Sequence, residues 1–303
     1  MLSKFSFLLL CVLLGACGSE SEDERLTVND AIDQVSDENL KRCLKDQYVE
    51  FAEEVTEIDC SSTRGRINNL EGIENFANIT HLNLKNNDLT IVDMSHHLKL
   101  THLTLDASNI ISLDVRENVN LVDLKVSRGK LTGLDLTNNL NLETLDVSNN
   151  HLENLGVSNN QKLLYLDASD NHLNSIYLAN NLELLELRID NNDFHTLSIS
   201  LNTKLRHVSV NRNDIIYLNS SKNKQLTYLS MFNNDQLHTL GLIYNLNLEY
   251  LNLSNTNLSS LDLHTNLYLN EIHLSGSCPY GLDVSIFKSL SILDLSECRL
   301  SNI

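Results

Sequence analysis

The stretch Leu142–Asn160 reads LETLDVSNNHLENLGVSNN and repeats one arrangement of leucine, valine and asparagine. Counted from Leu142, apolar residues follow three and five positions later, an asparagine stands eight positions later, and a second apolar alternation comes after it. The same order returns from Leu163 and again from Leu184, so the period is 21 residues. A fixed period of this length is typical of a solenoid, in which each repeat forms one coil of a stack.

The period extends over most of the 303 residues. Every step has 21 residues except the one from Leu226 to Leu248, which has 22. We expect the extra residue to form a bulge in the stretch FNNDQL. The eleven repeats begin at Ile79, Leu100, Leu121, Leu142, Leu163, Leu184, Leu205, Leu226, Leu248, Leu269 and Leu290.

Each repeat has the form LxxLxLxxNxL and in this resembles the leucine-rich repeat, over about three quarters of the chain. The alternation of Leu145 and Val147 points both side chains inward from a short strand. The resemblance implies that such strands stack into a parallel sheet. Half a coil of about ten residues must hold strand and turn, so we expect a β-rich solenoid of about eleven coils with little helix.

The asparagine of each repeat has a role that follows from the turn it occupies. A turn that faces the core leaves backbone N–H and C=O groups away from water, where unpaired groups are costly. An asparagine amide donates and accepts at once, so it can bond backbone in its own coil and in the next. Weaker rungs are expected at Ser108, Gly129, Thr256, Ser277 and Cys298. The asparagine ladder is Asn87, Asn150, Asn171, Asn192, Asn213 and Asn234.

A second ladder of asparagines stands ten residues after the first and follows a second apolar alternation, such as that of Leu134–Leu136. The spacing predicts two extended sides per coil, joined by asparagine turns. The members of this second ladder are Asn118, Asn139, Asn160, Asn181, Asn202, Asn223, Asn245 and Asn266.

Residues 27–78 differ in composition from the repeats, and we expect a small helical cap and a lead-in coil there, followed by the solenoid over residues 79–303. A solenoid needs such a cap because its terminal coil would otherwise expose the core. Ser36 is the expected N-cap, and Asp37 and Glu38 suit the positive end of the helix dipole. An apolar stripe at helical spacing supports the helix: Leu40, Cys43, Leu44 and Tyr48.

Four cysteines of the cap and repeats suggest two disulfide bonds in an exported chain. The segment EIDCSSTRGRINNLEGIENFANITHLNL resembles the start of the repeats in internalin-like bacterial surface proteins, and we predict that Cys43 and Cys60 pin the cap to the first coil. Cys278 and Cys298 take nearly equivalent positions in successive coils. Neighbouring strands lie about 4.8 Å apart, within the Cα range of about 4.4–6.8 Å for a disulfide, so we predict that bond too.

The N-terminal sequence is typical of an exported protein, because Lys4 precedes an apolar run that ends at Leu14 and is too short to span a bilayer. The tetrapeptide LGAC resembles the lipobox of bacterial lipoproteins, in which the cysteine is lipidated and becomes the first residue. The resemblance implies a signal peptide over residues 1–16, lipidation of Cys17 and an acidic tether over residues 17–26. By analogy the anchor lies in the outer membrane, facing the surface or the periplasm. The alternatives are an ordinary signal peptide or a plain anchor.

The composition argues against a nucleic-acid partner, because the formal net charge is −18 and such a chain repels phosphate. The sequence contains no GxSxG, P-loop, HExxH or glycine-rich dinucleotide turn. We therefore expect no enzymatic activity, no cofactor and no metal centre. Three weaker metal hypotheses stay open: stacked His151 and His172, the adjacent turn residues His96 and His97, and calcium at Asp146, Asp167, Asp170 and Asp190.

The outward positions of the first strand give the strongest functional signal. Exposed tyrosine and arginine beside histidine are typical of protein-binding surfaces, although tyrosine also favours strands for its own sake. We predict a ligand-binding face composed of Tyr165, Arg188, His207, Tyr228, Phe232 and Tyr250.

These features favour a non-enzymatic binding protein outside the cytoplasm, which contacts the membrane through its lipid anchor only. It would recognise a protein or a glycan through the exposed sheet face. The resemblance to internalin-like proteins implies adhesion or host contact. The alternative is a structural component of the cell envelope that self-associates or spaces other envelope proteins.

Overall fold

The computed structural model describes residues 25–47, 49–61, 65–280 and 282–298, which form a solenoid of parallel strands. The expected leucine-rich-repeat architecture with a small helical cap is confirmed. Numbered along the chain, the strands are β1 (Glu57–Asp59), β2 (His81–Asn83), β3 (Ile91–Asp93), β4 (His102–Thr104), β5 (Ser112–Asp114), β6 (Asp123–Lys125), β7 (Thr144–Asp146), β8 (Tyr165–Asp167), β9 (Glu186–Arg188), β10 (Thr196–Leu197), β11 (His207–Ser209), β12 (Tyr217–Leu218), β13 (Tyr228–Ser230), β14 (Thr239–Leu240), β15 (Tyr250–Asn252), β16 (Glu271–His273) and β17 (Ile292–Asp294).

The main sheet has 12 strands in the order β1, β2, β4, β6, β7, β8, β9, β11, β13, β15, β16 and β17. Each strand pairs with the next coil's strand residue for residue, as His81 does with His102. In a typical strand such as β8 the middle residue is buried and its two neighbours are partly exposed. The inward residues form an aliphatic core in which Phe76 and Phe194 are among the largest fully buried side chains.

The opposite side of the coils carries two smaller parallel sheets, β3 with β5 and β12 between β10 and β14. The second apolar alternation therefore forms a strand in some coils only. The expected strand at Leu134–Leu136 is absent from the described structure. The extra residue of the longer repeat lies in a turn at Asp235–Gln236. It is accommodated before Thr239, which pairs in register with Tyr217.

The first asparagine ladder satisfies the backbone at the turn after each main strand, as Asn171 illustrates. Its Nδ2 donates to Ala168 O and Val147 O, both at 3.1 Å, and its Oδ1 accepts from Leu152 N at 3.0 Å. The amide thus bonds its own coil and the preceding coil, not the next one. Rungs that lack asparagine differ from one another: Ser108 Oγ is buried without a hydrogen-bond partner, whereas Ser277 Oγ accepts from Thr256 N at 2.5 Å and lies 2.7 Å from Leu253 O.

The residue before each rung adopts left-handed backbone in every regular coil. The φ values of its non-glycine members lie between 50° and 63°. For residues other than glycine, asparagine and aspartate this conformation costs roughly 1–2 kcal/mol, yet Ala107 and Arg128 adopt it. The stack therefore imposes the turn against local preference. The members are Asn86, Ala107, Arg128, Asn149, Asp170, Asn191, Arg212, Asn233, Asn255, Gly276 and Glu297.

The second asparagine ladder is buried at the opposite turn. Asn139 Nδ2 donates to Val115 O and to Asn118 O, both at 2.9 Å and both in the preceding coil. Asn245 is unusual because its Oδ1 accepts from Ser220 Oγ at 2.8 Å. A buried Oδ1 without a hydrogen-bond partner occurs at Asn118, Asn139, Asn160, Asn181, Asn223 and Asn266.

The cap contains α1 (Val28–Asp33) and α2 (Glu38–Leu44), with 3-10 turns at Ala52–Glu54 and Ile73–Asn75. The prediction of Ser36 as the N-cap of α2 was wrong: the cap is Asp37, whose Oδ1 accepts from Leu40 N at 3.0 Å. Asp37 also bonds the lead-in coil, because its Oδ2 accepts from Asn68 N at 2.9 Å. These backbone hydrogen bonds hold the pKa of Asp37 below its ordinary value, against the opposing effect of burial.

Disulfide bonds join Cys43 to Cys60 and Cys278 to Cys298, with Cα–Cα distances of 5.7 and 5.4 Å. The first bond ties α2 to the residue after β1, and the second ties two successive coils near the other end. In the part of the chain that the structure describes, no helix has the length and apolar character needed to span a membrane. Tyr48, the signal peptide, Cys17 and most of the tether lie outside the described residues.

His97 takes the place of an asparagine in the second ladder, 21 residues before Asn118. Its Nε2 donates to Ile73 O at 3.2 Å, which is the bond that Asn118 makes to Met94 O. The imidazole is only 1% exposed, and its Nδ1 has no hydrogen-bond partner. Burial lowers the pKa of His97 below its ordinary value of 6.5, and nearby His96 lowers it further, while Ile73 O, Glu74 and Asp93 oppose the shift.

Replacing His97 with asparagine should reduce the loss of stability in acid. The folded chain binds a proton at His97 less readily than the unfolded chain, so the wild-type protein loses stability as pH falls below 6.5 towards the lower folded-state pKa. Thermal melts between pH 7.5 and pH 5 should show a smaller drop in Tm for His97→Asn. The matched control is His96→Asn, since His96 is exposed. An equal effect of the two substitutions would contradict the assignment.

Candidate functional site

The outer face of the main sheet presents its side chains in straight rows. The first residue of each strand contributes to one row and the third residue contributes to a second row, because both point away from the core. Successive members of a row are separated by the strand spacing of about 4.8 Å, which is close enough for direct side-chain contact. The predicted ligand-binding residues lie on this face between β8 and β15.

Three rings of the first row form a stack, here called the aromatic ladder: His207, Tyr228 and Tyr250. The ring centroids of His207 and Tyr228 are 3.8 Å apart, with 6° between the ring planes. Those of Tyr228 and Tyr250 are 4.3 Å apart, with 5° between the planes. At the end of the ladder, His273 from the second row lies 5.5 Å from Tyr250 and is tilted by 41°. The stack follows from the strict pairing of β11, β13 and β15.

Stacking decides which part of each ring a partner can reach. The faces of Tyr228 are covered by its two neighbours, so its edge and hydroxyl group are what it offers outward. Burial raises the pKa of Tyr228 to about 12, so the hydroxyl remains a donor at neutral pH. Burial also lowers the pKa of His207, with Arg188 adding to the shift and Glu186 opposing it. Burial thus favours the uncharged forms of His207 and Tyr228, and the ladder offers polar edges.

A hydrogen-bonded polar lane runs beside the aromatic ladder and consists of Asp190, Ser209, Asn211 and Ser230. Ser209 Oγ donates to Asp190 Oδ1 at 2.7 Å, and Ser230 Oγ donates to Asn211 Oδ1 at 2.6 Å. The backbone N–H of Asn211 donates to Asp190 Oδ1 at 2.6 Å. Burial raises the pKa of Asp190, and the bonds from Ser209 and Asn211 oppose that shift. The lane links three successive coils and fixes the sheet surface next to the rings.

Tyr165 and Arg188 do not belong to the aromatic ladder, although both were predicted as part of the same face. Glu186 stands between Tyr165 and His207 in the first row. Arg188 Nε donates to Glu186 at 2.6 Å, so the guanidinium is committed to an ion pair. The hydroxyl of Tyr165 donates to Asp167 at 3.3 Å, and burial followed by the Asp167 charge raises its pKa.

Phe232 lies one outward position beyond the second row, with the Arg212 guanidinium 5.6 Å from the centre of its ring. Its backbone N–H donates to Asn211 Oδ1 at 2.9 Å, which joins it to the polar lane. The predicted site residues thus fall into three groups: the ladder, the Tyr165–Arg188 pair and Phe232. The sequence did not indicate that Asn211 belongs to the hydrogen-bonded lane or that His273 lies beside Tyr250. Neither residue type by itself predicts such a hydrogen-bonded chain or ring stacking.

Among the described residues, no group of three or more His, Cys, Asp or Glu side chains is arranged to hold a metal ion. His151 and His172 do stack, but their ring centroids are 6.0 Å apart. Asp146 and Asp167 lie opposite each other in β7 and β8, and each accepts a hydrogen bond from the backbone N–H two residues on. Asp146 and Asp167 are therefore engaged with their own turns, whereas Asp190 accepts from Ser209 and Asn211 of the next coil.

The fold is similar to solved leucine-rich-repeat structures of bacteria. An internalin (InlF) from Listeria monocytogenes has a TM-score of 0.70 and 20% identity, with 91% of this chain and 93% of that chain covered. The functional domain of InlJ from the same organism has a TM-score of 0.50 and 22% identity, with 88% and 74% covered. A leucine-rich-repeat protein of Leptospira interrogans has a TM-score of 0.64 and 20% identity, with 76% and 70% covered. The chain is therefore an internalin-like leucine-rich-repeat solenoid in its fold.

No protein-family model matches the sequence, and no curated protein is similar to it in sequence. The repeat is thus recognised by its period and by the shape of the coil.

We expect Tyr228 and Tyr250 to stabilise the fold as a stacked pair. A double-mutant cycle of Tyr228→Ala and Tyr250→Ala should give a coupling free energy of about 0.5–1.5 kcal/mol, measured by urea unfolding. The control cycle combines Tyr165→Ala with Tyr250→Ala, whose strands are separated by three others in the sheet. That pair should be additive within about 0.5 kcal/mol. Equal coupling in both cycles would show that stacking is not its source.

Proposed function

We propose that this chain is a non-enzymatic binding protein that acts outside the cytoplasm and recognises another protein through the outer face of its main sheet. The observation that carries the proposal is the aromatic ladder of His207, Tyr228 and Tyr250, which is ordered by its own stacking on the partly exposed outer face of the sheet. Adhesion or host contact is the role that we favour for it.

Pre-ordered aromatic rings are suited to binding because little side-chain entropy is lost when a partner docks. Tyrosine is enriched at the points that dominate protein–protein affinity. Tyr228 and Tyr250 add hydroxyl groups at their outward edges, and Asn252 Nδ2 lies 3.4 Å from the Tyr250 hydroxyl as a further polar group. A partner would thus contact a row of polar ring edges beside the hydrogen-bonded polar lane.

A protein partner is also in keeping with structures of similar fold. The ectodomain of the plant membrane receptor kinase GASSHO1/SCHENGEN3 from Arabidopsis thaliana, solved in complex with CASPARIAN STRIP INTEGRITY FACTOR 2, has a TM-score of 0.59 and 24% identity to this chain. This chain spans 31% of that ectodomain, with 74% of its own length covered. We carry over only the use of a repeat surface to hold a protein ligand.

The two disulfide bonds support a location outside the cytoplasm, since such bonds persist in oxidising compartments. In our proposal residues 1–16 are removed, Cys17 carries the lipid, and the acidic residues up to position 26 tether the solenoid to the outer membrane. One covalently attached lipid group of two or more acyl chains is enough for stable anchoring.

Replacing Cys17 with serine should release the chain from the membrane. The variant lacks the thiol that would carry the lipid, so it should appear in the soluble fraction of fractionated cells while the wild-type chain sediments with membranes. Labelling with an alkyne fatty acid should mark the wild-type chain alone. Cys11→Ser, in the segment that would be removed, is the matched control. Sedimentation of Cys17→Ser with membranes would contradict lipid anchoring.

A photo-crosslinking amino acid at Asn252 should capture the partner protein, because this side chain lies on the main-sheet face beside Tyr250. The same amino acid at Thr239, which is exposed on the opposite side of the coils, should capture nothing specific. Tyr228→Phe combined with Tyr250→Phe keeps the rings and removes the hydroxyl groups. This pair should weaken the crosslink from Asn252 without lowering Tm by more than a few degrees.

Three outcomes of the crosslinking experiment are informative. A product from Thr239 and none from Asn252 would refute the sheet face as the binding surface. An undiminished product in the double phenylalanine variant would refute the role of the hydroxyl groups. A product that contains only a second copy of this chain would favour the scaffolding role over adhesion.

A further inference from the structure

The turn that carries the second asparagine ladder presents a row of exposed apolar side chains. The rung points inward and the residue after it points outward, since Asn139 is 0% exposed and Leu140 is 54% exposed. Of the nineteen large apolar side chains that are exposed in the described residues, nine lie at this turn. Clustering of this kind is typical of an interaction surface. The nine are Leu98, Val119, Leu140, Leu182, Leu201, Tyr244, Leu246, Leu267 and Tyr268.

We call this side of the solenoid the second-turn edge. It consists of each rung of the second ladder, with His97 as the first rung, together with the residue before the rung and the two residues after it. Nine successive coils contribute to it, so at about 4.8 Å per coil it is roughly 40 Å long. Its segments are residues 96–99, 117–120, 138–141, 159–162, 180–183, 201–204, 222–225, 244–247 and 265–268.

The second-turn edge is positively charged, although the chain as a whole is strongly acidic. It carries five lysines, at positions 99, 162, 204, 222 and 224, and two glutamates, at positions 117 and 183. Its net charge is thus +3, against −18 for the whole chain. Lys204 binds Glu183, so one pair is neutralised within the edge. Lys222 and Lys224 are both exposed, one on either side of Asn223.

The amide groups beside the apolar row are already hydrogen-bonded to backbone. Asn120 Nδ2 donates to Leu98 O at 2.9 Å, and Asn141 Nδ2 donates to Val119 O at 3.0 Å. Covering these amides therefore leaves few donors without a partner, which keeps the cost of removing water low. The same bond to a carbonyl group of the preceding coil is made by Asn138, Asn159, Asn180 and Asn247.

We propose that the second-turn edge lies on the surface of the lipid bilayer that holds the chain's own anchor. Leucine side chains together with lysine are typical of a protein surface that rests on anionic lipid. Tyrosine favours the headgroup region, where Tyr244 and Tyr268 would lie. This contact is additional to the lipid anchor, through which alone the sequence predicted membrane contact.

The proposal rests on the proposed lipidation of Cys17, because a short tether makes a weak contact effective. Eight residue steps join Cys17 to Arg25, the first described residue, and they span at most about 30 Å. The solenoid is thus held near the lipid at a high effective concentration. The two turns of each coil lie at opposite edges, so the outer face of the main sheet stays open to a partner at the side.

A fluorophore at Gln161 tests the contact in the full chain. The fluorophore is sensitive to polarity, is attached to Gln161→Cys, and is studied in vesicles of phosphatidylcholine and phosphatidylglycerol. Gln161 is exposed in the row between Leu140 and Leu182, so labelling keeps the apolar side chains. The emission should shift to shorter wavelength and be quenched by lipid-attached quenchers. The matched control is His151→Cys, because His151 is exposed at the opposite turn of the same coil, and its label should stay in water.

Two double variants identify the groups that make the contact. Leu246→Ser with Leu267→Ser should lower the ratio of docked to undocked chains at least about tenfold. Lys222→Gln with Lys224→Gln should lower it about tenfold or more on the mixed vesicles and leave it unchanged on phosphatidylcholine alone. The control, Ile91→Ser with Ile111→Ser, removes two exposed apolar side chains from the opposite strand side and should leave the ratio unchanged. Thermal melts establish that each variant folds.

A label at Gln161 that stays in water while the chain sediments with the vesicles would overturn the proposal. So would a shift that grows with protein concentration without vesicles, because a second copy would then cover the edge. Protection in intact cells but not on vesicles would indicate a protein partner and would also overturn it. If Cys17→Ser shows that the chain has no lipid anchor, an excess of vesicles should still shift the Gln161 label. The edge and the anchor can therefore fail separately.

Discussion

The hydrogen bonds of the first asparagine ladder are the interaction on which the rest of this structure depends. Each coil must turn sharply after a three-residue strand, and the turn buries backbone groups that cannot reach water. One amide, such as that of Asn171, satisfies carbonyl groups of two coils and an N–H group of the preceding coil. Where the rung is not asparagine, the left-handed residue before it is held by its own backbone N–H, which donates to a carbonyl group of the next coil, as Ala107 does to Ser127 O and Arg128 to Ser148 O. Folding within a coil and stacking between coils are thereby one event.

Strict stacking has a direct consequence for the surface. When every strand pairs residue for residue, side chains at one position of the repeat line up without offset, and whatever they are, they must contact one another. Rings that face outward become stacks, as in the aromatic ladder and in the pair formed by His81 and His102. Carboxylates in such a row meet like charges unless they bind their own turn or an adjacent cation, as Glu186 binds Arg188. The chemical character of each outward row is therefore determined by the residues that occupy one position of successive repeats.

Much of the architecture could be predicted because leucine and asparagine recur at fixed positions of a long and regular repeat. The Cys278–Cys298 bond was accessible because strand spacing brings cysteines of successive coils within bonding distance. The Cys43–Cys60 bond joins α2 to the residue after β1, so it was predicted from the resemblance to internalin-like proteins and not from strand spacing. Details that depend on a single atom were not accessible. Asp37 replaced Ser36 as the helix cap because its second oxygen reaches Asn68 in another segment. The place of His97 in the second asparagine ladder was not predicted, because the sequence there shows only two adjacent histidines in a turn.

The candidate site was predicted in outline and not in arrangement. The outward row was correctly placed on the sheet face, but Glu186 separates Tyr165 from the rings because a single acidic residue interrupts a stack completely.

The extra residue at Asp235–Gln236 has a consequence for how such a chain can change over generations. Although this repeat is longer, Tyr228 still lies opposite Tyr250 in the main sheet, and Asn245 still bonds Asn223 O at 2.9 Å. Length is absorbed in one turn, and the columns of the outer face are undisturbed. Insertions and deletions can therefore accumulate along that edge while selection acts on the outward columns separately. The length of a coil can thus change without altering which side chains meet on the outer face of the main sheet.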